Sequence, residues 1–501
     1  MKSIDSADIP GSEKAARLRR LARPITLSLI VTAIGGCAVG PEFHAPAPPA
    51  DTTYLRSQPS SITAAGAAAQ RLSSANGSNE AWWQAFDSPR LNALVDEGLA
   101  NNYDIASALG KLARARRIAD AVQGERLPQV DLSASSGRTR YGAAFLGEEA
   151  KAFAPYSYYA IGPSVTYDFD LFGRIRRSKE RSDALAEVQA DELEAVRLNV
   201  SGDIVNEVIA AASIRDQLDA LQSILVSSTA QQRILQRARA TGGVSEVDLE
   251  QKNRSVDDIE GRIAVEQQRL AAAQDALTVL AGKTPGTWSA PAIDLAELHL
   301  PQDIPLTLPS ALVRRRPDIQ AAEASLHAEN AQIGIATADM YPDIALTGSL
   351  SVEGLFAGPS ELAWDALGGI SAPVFEGGRL RAQKQAAQAG YGAALADYHQ
   401  TVVKAFGEVA DSLNALSNDV SQDGAITQAA DSARRTEAFD KAAYMDGATG
   451  YAALLQATND RQFYDLKQIR VRGQRLADTA RLLLVTAGPV GAPKGHAVTS
   501  R

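Results

Sequence analysis

The feature that most constrains this chain is that its sequence repeats within itself. A segment beginning at Asp104 (DIASALGKLARARRIADAVQGERLPQVDLSAS) matches one beginning at Asp318 (DIQAAEASLHAENAQIGIATADMYPDIALTGS), with an offset of 214 residues. Further on, residues 268–282 match residues 474–488 with an offset of 206 residues. Chance similarity between alanine-rich helices is the alternative explanation. Ordered matches at nearly equal offsets favour a duplication, in which one structural unit occurs twice.

Each repeat contains the same predicted series of elements. Residues 88–127 have the pattern of a helix, and two alternating segments follow it. Alternation of apolar and polar residues is typical of half-buried strands. In the first repeat the alternating residues are Val130, Leu132 and Ala134, then Val165, Tyr167, Phe169 and Leu171. In the second repeat they are Ile344, Leu346, Gly348, Leu350 and Val352, then Ile370, Ala372 and Val374.

A very long helical pattern follows each pair of strands. Its apolar residues recur at spacings of three and four, from Val196 to Leu225 and again from Val402 to Val420. Narrow, sustained stripes of this kind are typical of coiled-coil packing. No proline interrupts residues 174–240 or 378–447. At about 1.5 Å per residue, each helix could therefore extend on the order of 100 Å.

Glycine-containing turns are expected to reverse the chain after each long helix. The first turn is predicted at residues 241–243 and the second at residues 447–450. A return helix follows each turn and ends near Gly282 or Gly488, with a proline shortly beyond. Glycine and proline in these positions are common helix stop signals.

The strand count predicts an assembly rather than a single chain. We expect about four strands per chain, whereas membrane β-barrels contain at least about eight. Three chains would supply about twelve strands to one shared barrel, and their helices could form a tube. The composition agrees with long helices, since 45% of residues are hydrophobic but only 6% are aromatic. A net charge of −9 argues against nucleic-acid binding.

The only cysteine, Cys37, has the context of a lipid attachment site. Arginines at positions 17–23 precede an apolar run at residues 24–34, which is too short for a mature membrane span. Small residues then lead directly to Cys37, as in a bacterial lipobox, where the cysteine is diacylated and becomes the mature N-terminus. Ala38 rather than aspartate follows it, which in lipoproteins implies export to the outer membrane.

Several motifs together resemble the outer-membrane factors of the TolC/NodT class, the lipoprotein exit ducts of tripartite efflux systems. Besides the lipobox, these are WWQAFDSPRLNALVDEGLANNYDI from Trp82, YDFDLFGRIRR from Tyr167, RRRPDIQAAE from Arg314 and PVFEGGRLRAQ from Pro373. The resemblance implies a homotrimer in the outer membrane and an equatorial belt built partly from chain ends. It also implies a periplasmic adaptor (membrane-fusion) protein and a proton-driven inner-membrane pump as partners, with no cofactor in this chain.

These observations predict a mainly α fold with a β-barrel part. Long antiparallel coiled-coil helices would form an α-barrel, and about four strands per chain would join a trimeric β-barrel. The expected divisions are a signal peptide (1–36), a lipid-anchored flexible tether (37–80), the first repeat (81–287), a linker (288–313), the second repeat (314–490) and a disordered tail (491–501).

The resemblance also assigns roles at the helical turns. Docking to the adaptor is expected at the two tips, which comprise Thr241, Gly242, Gly243, Val244, Gly447, Ala448, Thr449 and Gly450. Family members often place an aspartate just past the second tip, where it narrows the periplasmic mouth. Gln456 stands at that position here, so the constriction is expected to be weakened or moved to Asp446 or Asp460, with Asp248 as a further candidate. The alternative is that these aspartates are only solvated surface residues and form no constriction.

No other pattern indicates chemistry. Gly282-Lys283-Thr284 lacks the upstream glycine and the following helix of a phosphate-binding loop. The five histidines are dispersed and Cys37 is assigned to lipid, so the sequence supports neither a metal site nor an enzyme. Two alternatives to an efflux duct stay open: the outer-membrane channel of a type I protein-secretion system, and a lipid-anchored periplasmic scaffold that never inserts.

Overall fold

The computed structural model describes residues 38–49, 53–56, 61–62, 70–74, 81–140 and 154–490. The expected signal peptide, Cys37 and the expected C-terminal tail lie outside the described residues. Contacts divide the chain into two compact units, each built from discontinuous segments. Among the described residues, the first comprises 38–45, 114–140, 154–186 and 324–395, and the second comprises 46–49, 53–56, 61–62, 70–74, 81–113, 187–323 and 396–490.

Helices account for most of the described chain. They are α1 (Pro89–Asn101), α2 (Tyr103–Gly124), α3 (Arg174–Ala240), α4 (Glu246–Leu280), α5 (Pro309–Val313), α6 (Pro317–Ala338), α7 (Arg379–Met445) and α8 (Tyr451–Val485). The strands are β1 (Ser61–Ile62), β2 (Gln70–Ser74), β3 (Gln129–Thr139), β4 (Tyr156–Asp168), β5 (Asp303–Leu306), β6 (Asp343–Leu355) and β7 (Ser360–Ser371). None of the helices in the described ranges combines the length and the apolar character needed to cross a bilayer.

The predicted duplication is confirmed by the lengths of matching helices. Helices α2 and α6 have 22 residues each, α3 and α7 have 67 each, and α4 and α8 have 35 each. The first pair is offset by 214 residues and the other two pairs by 205. The offset changes because the connection between β3 and β4 is longer than that between β6 and β7. The return helices are thus offset by 205 residues as whole elements, one fewer than the offset of 206 residues in the sequence match within them.

The helix expected over residues 88–127 is two helices, which is a correction. Asn102, between α1 and α2, has an extended backbone (φ −66°, ψ 132°) that interrupts the helical path. Its side-chain oxygen accepts hydrogen bonds from the backbone N–H groups of Asp104 and Ile105, at 2.8 and 3.3 Å. Asparagine satisfies the first free N–H groups of a helix in this way, so it both ends α1 and caps α2.

The first unit contains a four-stranded antiparallel sheet with the order β3-β4-β6-β7. Strands β3 and β4 form a hairpin within the first repeat, and β6 and β7 form the matching hairpin within the second. Strands β4 and β6 join the two hairpins, with Thr166 opposite Thr347. The predicted number of strands for this sheet is therefore confirmed.

A second, smaller sheet in the second unit was not predicted. Its order is β1-β2-β5, with β2 parallel to β5 and Arg71 opposite Asp303. The structure thus differs from the flexible tether expected for residues 37–80, because Gln70–Ser74 is a strand. It also gives the expected linker at residues 288–313 a strand and a helix. Short strands in low-complexity sequence carry little alternation from which they could be recognised.

The core of the second unit lies between its helices. Trp82 and Phe86, in the 3-10 turn Trp82–Phe86, are fully buried. The apolar stripes predicted on α3 and α7 are buried with them and with residues of α8. These residues are Val200, Ile204, Val208, Val409, Leu413, Leu416, Leu482 and Leu483. Spacings of three and four therefore identified the buried faces correctly.

Candidate functional site

The four-stranded sheet exposes an apolar face. The strand register places every second residue of each strand on the same side of the sheet, and these residues are largely aliphatic or aromatic. Its exposed members are Val130, Leu132, Ile161, Val165, Leu346, Leu350, Val352, Leu362, Trp364 and Ile370, with exposed fractions from 39% to 76%. A contiguous apolar surface of this extent marks an interaction with another protein or with lipid.

The opposite face of the same sheet is mostly polar, although Tyr158, Leu355 and Leu367 also lie on it. It carries Asp131, Ser133, Ser135, Ser164, Thr166, Thr347, Ser349, Ser351, Glu353, Glu361, Asp365 and Ser371. Ser349 donates a hydrogen bond to Asp365, and Ser351 donates one to Glu353 at 2.8 Å. A sheet with one apolar and one polar face, built from strands of 11 to 13 residues, has the pattern of outer-membrane strands.

The first helical tip ends in a glycine with a positive φ angle. Gly242 has φ +79°, and the N–H of Gly243 donates to the carbonyl of Ala238 at 2.8 Å. This six-to-one hydrogen bond is the Schellman end of a helix, which needs a left-handed residue. Thr241, Gly242 and Gly243 are exposed and Val244 is half-buried.

The second tip repeats this geometry. Gly447 has φ +70°, and the N–H of Ala448 donates to the carbonyl of Ala443 at 2.8 Å. Ala448 and Gly450 are exposed, and Thr449 is half-buried. The predicted turns therefore lie where the sequence placed them, each between a long helix and its return helix.

The tips differ in how the return helix begins. Ser245 caps α4: its Oγ accepts from the N–H of Asp248 at 3.1 Å, and the Asp248 carboxylate accepts from the N–H of Ser245 at 3.3 Å. This reciprocal pair is a capping box. Gly450 holds the equivalent position before α8 and offers no side-chain acceptor. Asp248, a sequence candidate for the constriction, is thus engaged in starting a helix.

The structure places the other constriction candidates near the second tip. Asp446 is exposed in the turn itself. Gln456 and Asp460 lie one turn apart on α8, and the Gln456 amide donates to the Asp460 carboxylate at 2.9 Å. Nearby, burial and, to a smaller extent, the charges of Tyr444 and Asp248 raise the pKa of Tyr451 to about 12. A negative group of the first tip therefore acts on a residue of the second.

A groove of about 630 Å³ runs between α3, α4 and α8 in the second unit. Its apolar lining includes Leu221, Ile259, Leu455 and Phe463. Gln456, one of the predicted constriction residues, lines the groove too.

The segment that follows Cys37 is held against the first unit. The Val39 N–H donates to the carbonyl of Phe172 at 3.1 Å, and Glu42 forms an ion pair with Arg177 at 2.9 Å. Phe43 stacks on His327, with ring centroids 4.4 Å apart. These contacts fix the chain directly after the predicted lipid attachment site.

Sequence reasoning missed the buried charges of the second unit. The Arg475 guanidinium, almost fully buried, donates to the Gln70 amide oxygen at 3.2 and 3.3 Å and to Asp423 at 3.2 Å. Lys252 is also buried, donates to Gln231 at 2.9 Å, and has its pKa lowered to about 8 by burial. No local pattern identifies these pairs. The capping box at Ser245 could have been found from its S-x-x-D spacing.

The family model described as "Outer membrane efflux protein" matches residues 94–283 and 308–488. The outer membrane protein OprJ of Pseudomonas aeruginosa is 29% identical over 88% of this chain and 90% of that protein. The probable outer membrane lipoprotein SilC of Salmonella typhimurium is 28% identical over 86% of this chain and 91% of its own length. The solved structure of the outer-membrane channel OprN has a TM-score of 0.81 at 25% identity, covering 91% of this chain and all of that chain.

The two matched segments of the family model coincide with the two repeats, and the OprN structure shares the long helices and the strands. Together they show that the predicted fold class is correct. This chain belongs to the outer membrane efflux proteins and is the outer membrane component of an efflux pump.

Proposed function

We propose that this protein is the exit duct of a tripartite efflux pump, through which small molecules pass passively from the periplasm to the exterior. The sheet with one exposed apolar face and one polar face carries the proposal. An apolar outer face suits lipid, and a polar inner face suits a water-filled passage. The chain itself performs no chemical step, since the pump supplies both energy and selection.

The duct is proposed to be a homotrimer with one closed sheet. Within the described residues, β3 and β7 each have one edge without a strand partner. Open edges expose unpaired N–H and C=O groups, which lipid cannot satisfy. Three copies would close the sheet with twelve strands, four from each, an even number within the range of bacterial outer-membrane proteins.

The helical tips are proposed to dock the periplasmic adaptor protein, which joins a proton-driven inner-membrane pump. Both tips are exposed turns with the same Schellman geometry, so they present similar surfaces twice per chain. The groove beside Gln456 offers apolar side chains within the same unit. A trimer would have six similar tips, which would suit an adaptor that contacts the duct at several equivalent positions.

The anchor is proposed to be a lipid on Cys37. The ordered contacts of Val39, Glu42 and Phe43 support this assignment, because they hold the following segment in one place rather than as a free tether. Lipid and sheet would then act together in the outer membrane.

Paired substitutions on the two faces of β6 test the proposed duct. Leu350→Lys places a charge on the apolar face, and Ser351→Lys places the same charge one residue later on the polar face. Lysine toward lipid costs about 2–4 kcal/mol at mid-bilayer, whereas a lumen position tolerates it. We expect cells with only Leu350→Lys to accumulate pump substrates. Their outer membranes should also lose the oligomer, which is detected as a gel band whose migration changes on heating.

The matched control, Ser351→Lys, is expected to export as the wild type does. Equal export by both variants would contradict insertion of this sheet in lipid and would favour the non-inserted scaffold. Export of a polypeptide rather than of small molecules, in a strain lacking other ducts, would favour the type I secretion channel.

A further inference from the structure

An aromatic pair lies at each end of the four-stranded sheet. Near the helices, Tyr167 and Phe169 meet edge to face with ring centroids 5.1 Å apart. At the opposite end, Tyr159 and Phe356 meet in the same way at 5.4 Å. Aromatic residues flank the apolar band of outer-membrane strands at both interfaces with water. The two pairs therefore mark the two boundaries of the band on this sheet.

The distance between these ends matches the thickness of the apolar part of an outer membrane. Tyr167 and Ser157 are ten residues apart on β4. That separation corresponds to about 33 Å along the strand and, at a tilt of about 40°, to about 25 Å across the membrane. Helix α3 follows β4 at the Tyr167 end. If the helices extend into the periplasm, the Ser157 end lies at the outer leaflet, and we call it the outer end.

A single positive charge lies on the apolar face, at the outer end. Arg138 on β3 is exposed and lies directly opposite Ser157. It is the only charged residue that the four strands place on this face. Their acids all lie on the other face, at Asp131, Asp168, Asp343, Glu353, Glu361 and Asp365. The outer end of the apolar face is therefore suited to an anion.

Hydroxyl groups adjoin Arg138 on the same face. Ser157 lies opposite it, and Ser136, two residues earlier on β3, lies opposite Tyr159. The Tyr159 hydroxyl lies over Gly354, where an added Cβ would be 2.9 Å from its oxygen. In the part of the chain that the structure describes, no acid forms an ion pair with Arg138. A guanidinium and three hydroxyls thus offer hydrogen-bond donors at one place, with no carboxylate beside them on this face.

We propose that the outer end binds the phosphate group of a phosphorylated glycolipid in the outer leaflet, with Arg138 as the charged contact. Arginine donates two parallel hydrogen bonds to phosphate oxygens, and the hydroxyls supply further donors. A lipid fits better than a free anion, because the face continues from Arg138 into the apolar residues Ile161 and Val352. The proposal rests on the proposed insertion of this sheet in the outer membrane.

Binding of lipid A to the full-length protein, extracted in mild detergent, tests this site. The probe is lipid A that carries two phosphates, and native mass spectrometry measures the bound fraction. Arg138→Gln should bind it roughly tenfold more weakly, because the variant loses a charge-assisted contact. Arg138→Lys should keep part of the affinity, since it retains the charge without the fork of donors. Dephosphorylated lipid A should bind to the wild type as weakly as lipid A binds to Arg138→Gln.

Arg126 offers a matched control at the other end of β3. It is exposed, and it lies between α2 and the first residue of the strand. Arg126→Gln removes the same charge from the same connection and should leave the affinity for lipid A unchanged. An equal loss in both variants would overturn the site, because lipid A would then respond only to the total charge. Displacement of lipid A by excess inorganic phosphate would also overturn it, in favour of a site for the free anion.

Failure of this site and failure of the proposed duct give different results. If Arg138→Gln binds lipid A as the wild type does while Leu350→Lys still abolishes export, the headgroup site is wrong and the duct stands. If the wild type binds no lipid A and Leu350→Lys exports normally, both the site and the insertion of the sheet are wrong. The gel band of the oligomer shows whether Arg138→Gln is assembled. If it is not, the comparison of phosphorylated with dephosphorylated lipid A on the wild type decides.

Discussion

Asp419 on α7 is buried beside Asp478 and Arg475 of α8, where its protonation affects stability. Burial, together with the neighbouring Asp478 and Asp423 and against the opposing effect of Arg475, raises the pKa of its carboxyl from 3.8 to about 7. Between about pH 4 and pH 7 the folded protein therefore keeps a proton on this carboxyl, whereas the unfolded chain has already released it. It follows that stability increases as the pH falls through about 7.

Asp419→Asn should remove this dependence, because the amide resembles the protonated acid. From pH 8 to pH 5 we expect the wild type to gain on the order of 2 kcal/mol relative to the variant. Thermal unfolding midpoints in detergent, measured across that range, would check it. Asp411→Asn, an exposed change on the same helix, is the control. Parallel pH profiles for wild type and Asp419→Asn would contradict the assignment.

Asp460 is the residue that best tests where the periplasmic mouth narrows. Its carboxylate already accepts a hydrogen bond from Gln456, so its position on α8 is fixed. If it forms the negative ring, Asp460→Ala should raise single-channel conductance and weaken cation preference in planar bilayers. Asp248→Ala is the comparison, because that carboxylate caps α4. Unchanged conductance and preference in Asp460→Ala would show that this aspartate is merely solvated.

At the scale of elements, the return helices should differ in the stability of their first turns. The capping box gives α4 a satisfied N-terminus, whereas α8 begins at a glycine. Ser245→Ala should destabilise the first turn of α4 by about 1 kcal/mol. Gly450→Ser, at the equivalent position, should stabilise the start of α8 by a few tenths of a kcal/mol.

Amide hydrogen exchange at the two tips would measure both changes. Faster exchange in α4 for Ser245→Ala, together with slower exchange in α8 for Gly450→Ser, is expected. Each tip serves as the control for the other. Exchange in α4 that does not respond to Ser245→Ala would mean that packing, not the cap, holds that turn.

Periodicity predicted the long elements because each one repeats its pattern many times. The stripes of α3 and α7 and the alternation in β3, β4, β6 and β7 are of this kind. The break at Asn102 was missed, since a single capping side chain leaves no periodic signal. The strand at Gln70–Ser74 depends on partners more than two hundred residues away, and such pairing is set by the tertiary fold.

Across the whole chain, the internal repeats predict the features that occur in both halves, but not the contacts between residues far apart in the sequence. Equal helices in both halves follow from the internal match, as does the presence of two tips. Residues that act through distant partners, such as Arg475 with Gln70, do not follow from it. The constriction also stays a prediction, because the repeats differ at that point: the equivalent of Gln456 is Gln251, and neither is an acid.

We propose that three copies of this chain share one closed sheet and one helical passage. The direct test is to extract the protein from outer membranes in mild detergent and to image single particles. We expect particles of three chains, with twelve strands in one closed sheet and the helical hairpins around a continuous passage. Monomers with an open four-stranded sheet, obtained after equally gentle extraction, would contradict it.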